Sequence, residues 1–288
     1  MRLAEYTPYP LAFPLRRMPC SGRRAPAAEE PHVGRNETEE TMTQNDIRLR
    51  TDTLSRLHPL DNPARSSLTG PHAHFAESRG RVLRYPVDVT PWIALPDNPE
   101  AQDWADLAAL AGPGGSVALA AFQAPPPRDW EIVFRGGGVQ LVDASVDAAP
   151  DPEAVLLGPQ DVQDMLDLVA RTRPGPFLPR TVELGTYLGI RRGGALVAMA
   201  GERLHPPGWT EISGVCTDES VRGQGLASRL VLAVAHGIRE RGETPFLHAS
   251  ASNTGAIRLY ESLGFRLRRR TEFISALVPA VFRSAHGT

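Results

Sequence analysis

The sequence contains no lysine: all 31 of its basic residues are arginine, set against 33 acidic ones. The net charge of −2 gives no bulk electrostatic case for a nucleic acid or an anionic membrane as partner. With abundant Ala, Gly and Pro, the arginines read as the codon bias of a GC-rich bacterial genome and carry no functional weight. Cysteine is nearly absent too. Cys20 lies in a stretch with no hydrophobic period and Cys216 in a predicted strand, which argues against a disulfide framework and fits a reducing cytoplasm. No apolar run approaches the roughly 18 residues that cross a bilayer. Near the N-terminus the apolar stretch Leu11-Ala12-Phe13 is broken by prolines on both sides, a poor signal peptide. The eight histidines show no metal-ligand spacing with cysteine or carboxylate, so no metal is expected. There is no internal repeat.

What is present divides into three stretches. Residues 1–45 carry Pro, Arg and Glu without hydrophobic period and read as a disordered extension. Periodic sequence begins soon after Met42, which makes that residue an alternative translation start. Residues 46–150 read as an α/β region. Residues 81–85 alternate as a strand does. Asn98-Pro99 opens a helix with Trp104, Leu107, Ala108 and Ala111 on its apolar face, and Gly112-Pro113 stops it. Strands are predicted at 116–122, 131–134 and 139–142, with Arg135-Gly136-Gly137-Gly138 as a hairpin turn between the last two.

Residues 151–288 are more regular. A short strand at 155–157 precedes an amphipathic helix at 160–171, carrying Val162, Met165, Leu166 and Val169, and Pro174-Gly175-Pro176 ends it. Strands follow at 185–191, 195–204 and 209–217, separated by turn sequences. A helix at 225–241 carries Leu226, Leu230, Val234 and Ile238 at four-residue spacing. A strand at 245–250, a helix at 253–263 stopped by Gly264 and a strand at 265–274 complete the pattern.

One junction in this series suits an anion. The strand ending at Thr217 runs into Arg222-Gly223-Gln224-Gly225-Leu226-Ala227 and then a helix. Glycines let successive backbone N–H groups converge on one point, and the helix adds its positive end and unsatisfied amides, so a pyrophosphate fits there. An ordinary strand-to-helix turn would also explain the glycines. The lysine and the longer glycine spacing of a nucleotide-triphosphate loop are missing.

Arg222, Gly225 and Ala227 match the R/Q-x-x-G-x-G/A signature of the GNAT superfamily of N-acyltransferases. Downstream, the run from Asn253 through Ala256 and Tyr260 to Gly264-Phe265 resembles that family's N-x-x-A-x-x-x-Y-x-x-x-G-F segment. The motifs stand in the family's order, one helix and one strand apart, and the resemblance covers about 130 residues. The run 211–265 resembles a branch of bacterial acetyltransferases related to glycine N-acyltransferases.

The resemblance implies an α/β fold with a mixed, splayed β-sheet flanked by helices. The N-terminal α/β region would be a degenerate half-domain of similar topology, extending the sheet, shaping the acceptor pocket or mediating a homodimer. It also implies acetyl-CoA as co-substrate, with an amine-bearing small molecule or peptide as acceptor. Pantetheine would bond to backbone around Val215, Cys216 and Thr217, and pyrophosphate to the amides of Arg222, Gly223, Gln224, Gly225, Leu226 and Ala227. Gly214 is the expected site of a bulge that starts the splay. Asn253 would cap the last helix and also reach the cofactor.

Tyr260 lies by helical spacing with Ala256, Ile257 and Leu263. It is either a core tyrosine or, as the resemblance implies, the phenol that protonates the departing CoA thiolate. For the base, period two puts Trp209, Glu211, Ser213 and Val215 on one face, and family enzymes place a carboxylate on this strand. Glu211 is thus the first choice as base, set against a reading as a substrate-positioning or exposed group; Glu202 and a water relay are the alternatives. His248 reads as a satisfied histidine rather than a base, Cys216 as a small apolar residue, and Arg266, Arg268, Arg269 and Arg270 as a solvated strand or turn. The expected activity is N-acetyl transfer by direct attack in a ternary complex. The alternative from a different class is a catalytically inactive acyl-CoA-binding sensor or interaction module.

Overall fold

A computed structural model describes residues 58–120 and 125–280. Expectations for residues 1–45, Met42 and Cys20 lie outside these. The described residues from Pro59 onward belong to one compact unit. Its frame is an eight-stranded sheet in the order β4-β11-β5-β10-β9-β8-β7-β6. The strands are β4 (Ser116–Ala120), β5 (Glu131–Asp143), β6 (Val155–Leu157), β7 (Tyr187–Arg192), β8 (Ala195–Glu202), β9 (Trp209–Thr217), β10 (Thr244–Ser250) and β11 (Phe265–Leu277). Neighbours pair antiparallel except β9 with β10, which are parallel and joined through a helix. The mixed, helix-flanked sheet is the fold class expected from the sequence. Residues 58–150 supply β4 and β5, so strands from before and after residue 150 share one sheet, with β5 between β11 and β10. A small separate sheet is formed by β1 (Glu77–Arg79), β2 (Val82–Arg84) and β3 (Ile93–Ala94).

Alternation along the strands assigns the two faces. Ala198, Ala200, Ile212 and Leu247 pack with Leu226, Leu230, Val234 and Ile238 of α4 (Leu226–Glu240), and α5 (Thr254–Ser262) joins that cluster through Tyr260. The intervening residues face the other way. Met199 and Cys216 meet Met165 and Leu168 of α3 (Val162–Thr172), and Phe246 meets Leu60, Tyr85 and Trp92 with Ala64 and Leu68 of α1 (Pro63–Leu68). The predicted helix after Asn98-Pro99 is α2 (Ala101–Ala111), started by a reciprocal Glu100/Asp103 capping box and stopped at Gly112. The apolar spacing read in α4 is therefore its buried stripe, each Leu or Ile contributing about 1.5–3 kcal/mol by burial. α1 had no predicted counterpart.

The hairpin predicted at residues 135–138 does not form; β5 runs unbroken through Gly136, Gly137 and Gly138. None of the three has positive φ. They serve close approach instead: a Cβ on Gly138 would come within 2.6 Å of the Phe273 ring and 2.9 Å of Thr271. Flanking strands β10 and β11 both pair with this stretch, so a long ladder holds it extended.

Candidate functional site

β9 and β10 pair only over Trp209–Ile212 with Thr244–Leu247. Beyond that point β9 stays with β8 and β10 stays with β5, so the two strands part and leave an opening in mid-sheet. The cause is local. Between Ser213↔Gly201 and Cys216↔Met199 the register shifts, and Gly214 sits in the left-handed region at φ 63°. The extra residue makes a bulge that bends β9 away from β10, at the glycine expected to carry it. It also changes the parity. Strict alternation groups Val215 with Glu211, but Val215 packs toward α4, and Cys216 takes the α3 side instead.

At the open end, β9 leads through a 3-10 turn (Glu219–Val221), capped by Asp218, which accepts from the Ser220 N–H, into the glycine loop. Arg222, Gly223, Gln224 and Gly225 are exposed. Gly223 and Gly225 hold φ of 80° and 75°, and a Cβ on either would meet open space, so left-handed backbone rather than crowding selects glycine. Gly225 is the N-cap of α4 and has no side chain to satisfy its first N–H groups. Arg229 in the first turn pairs with Asp151 at 2.6 Å and Glu153 at 2.9 Å, bracing the helix from behind. In β9, the Thr217 hydroxyl is buried with no hydrogen-bond partner among the described residues. A parted strand pair, an uncapped helix start behind two left-handed glycines and an orphaned hydroxyl suit a ligand that is extended at one end and anionic at the other.

Asn253 caps α5, its Oδ1 accepting from the Ala256 N–H at 3.1 Å. Tyr260 is 7% exposed, and its phenol has no hydrogen bond to any described residue. Burial, with a smaller push from Cys216, raises its pKa to about 12, so it is protonated at neutral pH. Cys216 is itself buried on the α3 side, and burial pushes its thiol up to about 11.

The face opposite α4 is polar and closed. Glu211 is fully buried and accepts a two-pronged bond from Arg203, at 2.9 Å from Nε and 2.7 Å from Nη2. His248 Nδ1 lies 2.7 Å from the same carboxylate, and its Nε2 lies 3.0 Å from Gln140 Nε2. Gln140 Oε1 accepts from Arg268, which fixes the amide and makes its nitrogen the donor to His248. The histidine proton therefore sits on Nδ1 and is donated to Glu211. Burial alone would raise the Glu211 carboxyl, but Arg203 and His248 outweigh it and hold the pKa at about 2. Arg203 also stacks over Trp92, 5.3 Å from the ring centroid. His248 is the satisfied histidine the sequence suggested. The arginines differ from expectation: Arg268 and Arg269 are not merely solvated but pair with Asp61, at 2.8 and 2.9 Å.

Glu202 lies apart from this group, accepting from Arg241 at 2.8 Å and from the Thr186 N–H at 3.1 Å. Ser213 and Gly214, by contrast, line a small pocket with Arg203 and Pro174, Gly175, Pro176 and Phe177. The structure thus brings Val215, Cys216 and Thr217 to one edge of the opening, with the loop 222–227 following from it. Glu211 lies on the sheet face that carries this pocket. Sequence inspection missed Arg203. The only available signal was an arginine just past the apolar run of β8, beside Glu202.

Comparison with known proteins agrees with this geometry. A family model described as FR47-like protein matches residues 187–274, from β7 into β11. The structure superposes with a TM-score of 0.70 on a protein from Novosphingobium aromaticivorans assigned as a GNAT-family acetyltransferase; the two are 39% identical over 76% of this chain and 98% of that one. The chain belongs to the GNAT family of acetyltransferases. Two curated relatives match more locally. Mycothiol acetyltransferase of Thermomonospora curvata is 40% identical over 100 residues, and N-alpha-acetyltransferase RimI of Mycobacterium tuberculosis is 37% identical over 90. The matched regions take in 34% and 29% of this chain and span only 32% and 56% of those two proteins.

Proposed function

We propose that the protein transfers the acetyl group of acetyl-CoA to a primary amine by direct attack within a ternary complex. The observation that carries this reading is the opening between β9 and β10, which ends at the uncapped start of α4. Pyrophosphate oxygens take the amides of residues 222–227, where the helix dipole adds to the backbone donors. The pantetheine arm takes the backbone of Val215, Cys216 and Thr217, and Asn253 borders the site while capping α5.

In the reaction the amine nitrogen attacks the thioester carbonyl carbon, the C–S bond breaks, and the sulfur takes the Tyr260 phenolic proton. Tyr260 is suited to this because its proton is retained at neutral pH and is not committed to another of the described residues. Proximity of the two substrates supplies much of the rate. Glu211 and Glu202 are both engaged by cations. A carboxylate held near 2 is a poor acceptor for a proton from an ammonium of pKa about 10. Glu211 is therefore assigned a positioning role, holding Arg203 and His248, and the acceptor loses its proton through water. An inactive acyl-CoA-binding module has no observation of its own in its favour.

Thiol release from acetyl-CoA across an amine panel tests the activity. Tyr260→Phe is expected to lower kcat by about 10–100-fold with little change in acetyl-CoA affinity. Unchanged turnover at saturation removes Tyr260 from the acid role, and absence of both CoA binding and turnover removes the proposal.

A further inference from the structure

The pocket beside the bulge has a definite electrical character. Its one ionisable wall group is Arg203; the other lining residues are Ser213, Gly214 and residues 174–177. The partner carboxylate does not reach it, because Glu211 is 0% exposed behind the guanidinium. Arg203 uses Nε and Nη2 on Glu211, which leaves Nη1 with no hydrogen-bond partner among the described residues. The guanidinium is held from two directions, by the forked bond to Glu211, a carboxylate itself fixed by His248, and by the Trp92 ring. It is a fixed donor rather than a mobile surface charge, and the ordering that a binding arginine would otherwise need is already met.

We infer that Arg203 is the acceptor-selecting residue, and that the acceptor is a small amine bearing a carboxylate, of free amino acid size, seated with that carboxylate on Nη1. The inference rests on the acetyl-transfer reading above, since Ser213 and Gly214 belong both to the pocket wall and to the start of the opening. A second ammonium, as in a polyamine or an aminoglycoside, would meet a guanidinium with no exposed carboxylate on the pocket wall to offset it. Because Glu211 already neutralises part of the Arg203 charge, the expected discrimination is modest, about 10-fold in favour of the carboxylate over a neutral isostere.

The test uses the full chain with acetyl-CoA and four amines: alanine, alaninamide, the dipeptide alanylalanine and spermidine. kcat/KM from thiol release is expected to be greatest for alanine, about 10-fold above alaninamide, with spermidine lowest. Calorimetric binding of the same amines to the CoA complex is expected to give the same order, and it remains readable if turnover fails. Arg203→Lys and the charge-free pair Arg203→Gln/Glu211→Gln are each expected to shrink the alanine-to-alaninamide ratio toward one. The ratio cancels general losses of activity, and circular dichroism reports folding of each variant. Equal use of alanine and alaninamide, or preference for spermidine or the dipeptide, overturns the inference while leaving acetyl transfer standing. CoA binding without thiol release from any amine overturns the reaction instead, and the calorimetric order then decides the inference alone.

Discussion

The two sides of the β9–β10 opening are built on opposite plans. On the glycine-loop side, polar groups are left unmet: the first turn of α4 has no side-chain cap, Gly223 and Gly225 lie exposed, and the Thr217 hydroxyl has no partner among the described residues. On the Arg203 side they are buried and bonded to one another, from Arg203 through Glu211 and His248 to Gln140 and Arg268. Backbone amides present a fixed partial charge at no risk to the fold, so they can wait for an anion that arrives with the ligand. Full side-chain charges cannot be buried on those terms; each must be neutralised before the core closes. The glycine-loop side is thus sensitive to backbone geometry, and the Arg203 side to charge balance.

The largest effect should follow from unbalancing the buried pair. Arg203→Leu or Glu211→Leu alone strands its partner and should cost about 3–5 kcal/mol, lowering the melting temperature by roughly 10 °C. Removing both together should cost less than the worse single change. A thermal melt series in which the double variant is the least stable of the three would break the comparison.

Acid should act on the closed side next. His72 is held at about 3, mainly by burial and then by His205 and His74 beside it, and burial also lowers His205. The unfolded chain binds these protons near the ordinary histidine value of 6.5, so stability is lost as pH falls below that value. Glu211 has a folded pKa of about 2 against 4.5 unfolded, so its contribution is present above 4.5 and fades between 4.5 and 2. Urea melts should show the midpoint dropping first between pH 6.5 and 4.5 and further below. A midpoint flat from pH 7 to 4.5 would remove the histidine contribution.

The smallest effect on the fold belongs to the open side. Gly225→Ala meets no neighbour but must hold φ near 75°, a strain of about 1 kcal/mol. Acetyl-CoA affinity should fall several-fold, while the ratio of alanine to alaninamide use stays fixed. A shift in that ratio would show that the two sides are not separable.

Legibility followed the same division. The glycine loop, the Asn253 cap and the stripe of α4 were readable because they depend on residues close in sequence. The bulge at Gly214 was also readable, but its consequence was not: one inserted residue moved Val215 to the α4 side and Cys216 to the other. The glycines of β5 looked like a turn because local propensity favours one, and two flanking strands overrode it. Arg203 went unread because its meaning lies in Glu211, Trp92 and the wall formed by residues 174–177, none of them its neighbours along the chain.

The amino-acid sequence by itself determined the fold class, the helix and strand series from residue 155 onward and the left-handed glycine loop at the start of α4, since these follow from hydrophobic period and from glycine and helix-end chemistry that act over a few residues. Only the tertiary structure decided what Glu211 is. Its charge state is set by Arg203 and His248, delivered by β8's end and by β10, and burial couples those charges far more strongly than water would. That coupling keeps Glu211 a carboxylate beneath the Arg203 guanidinium.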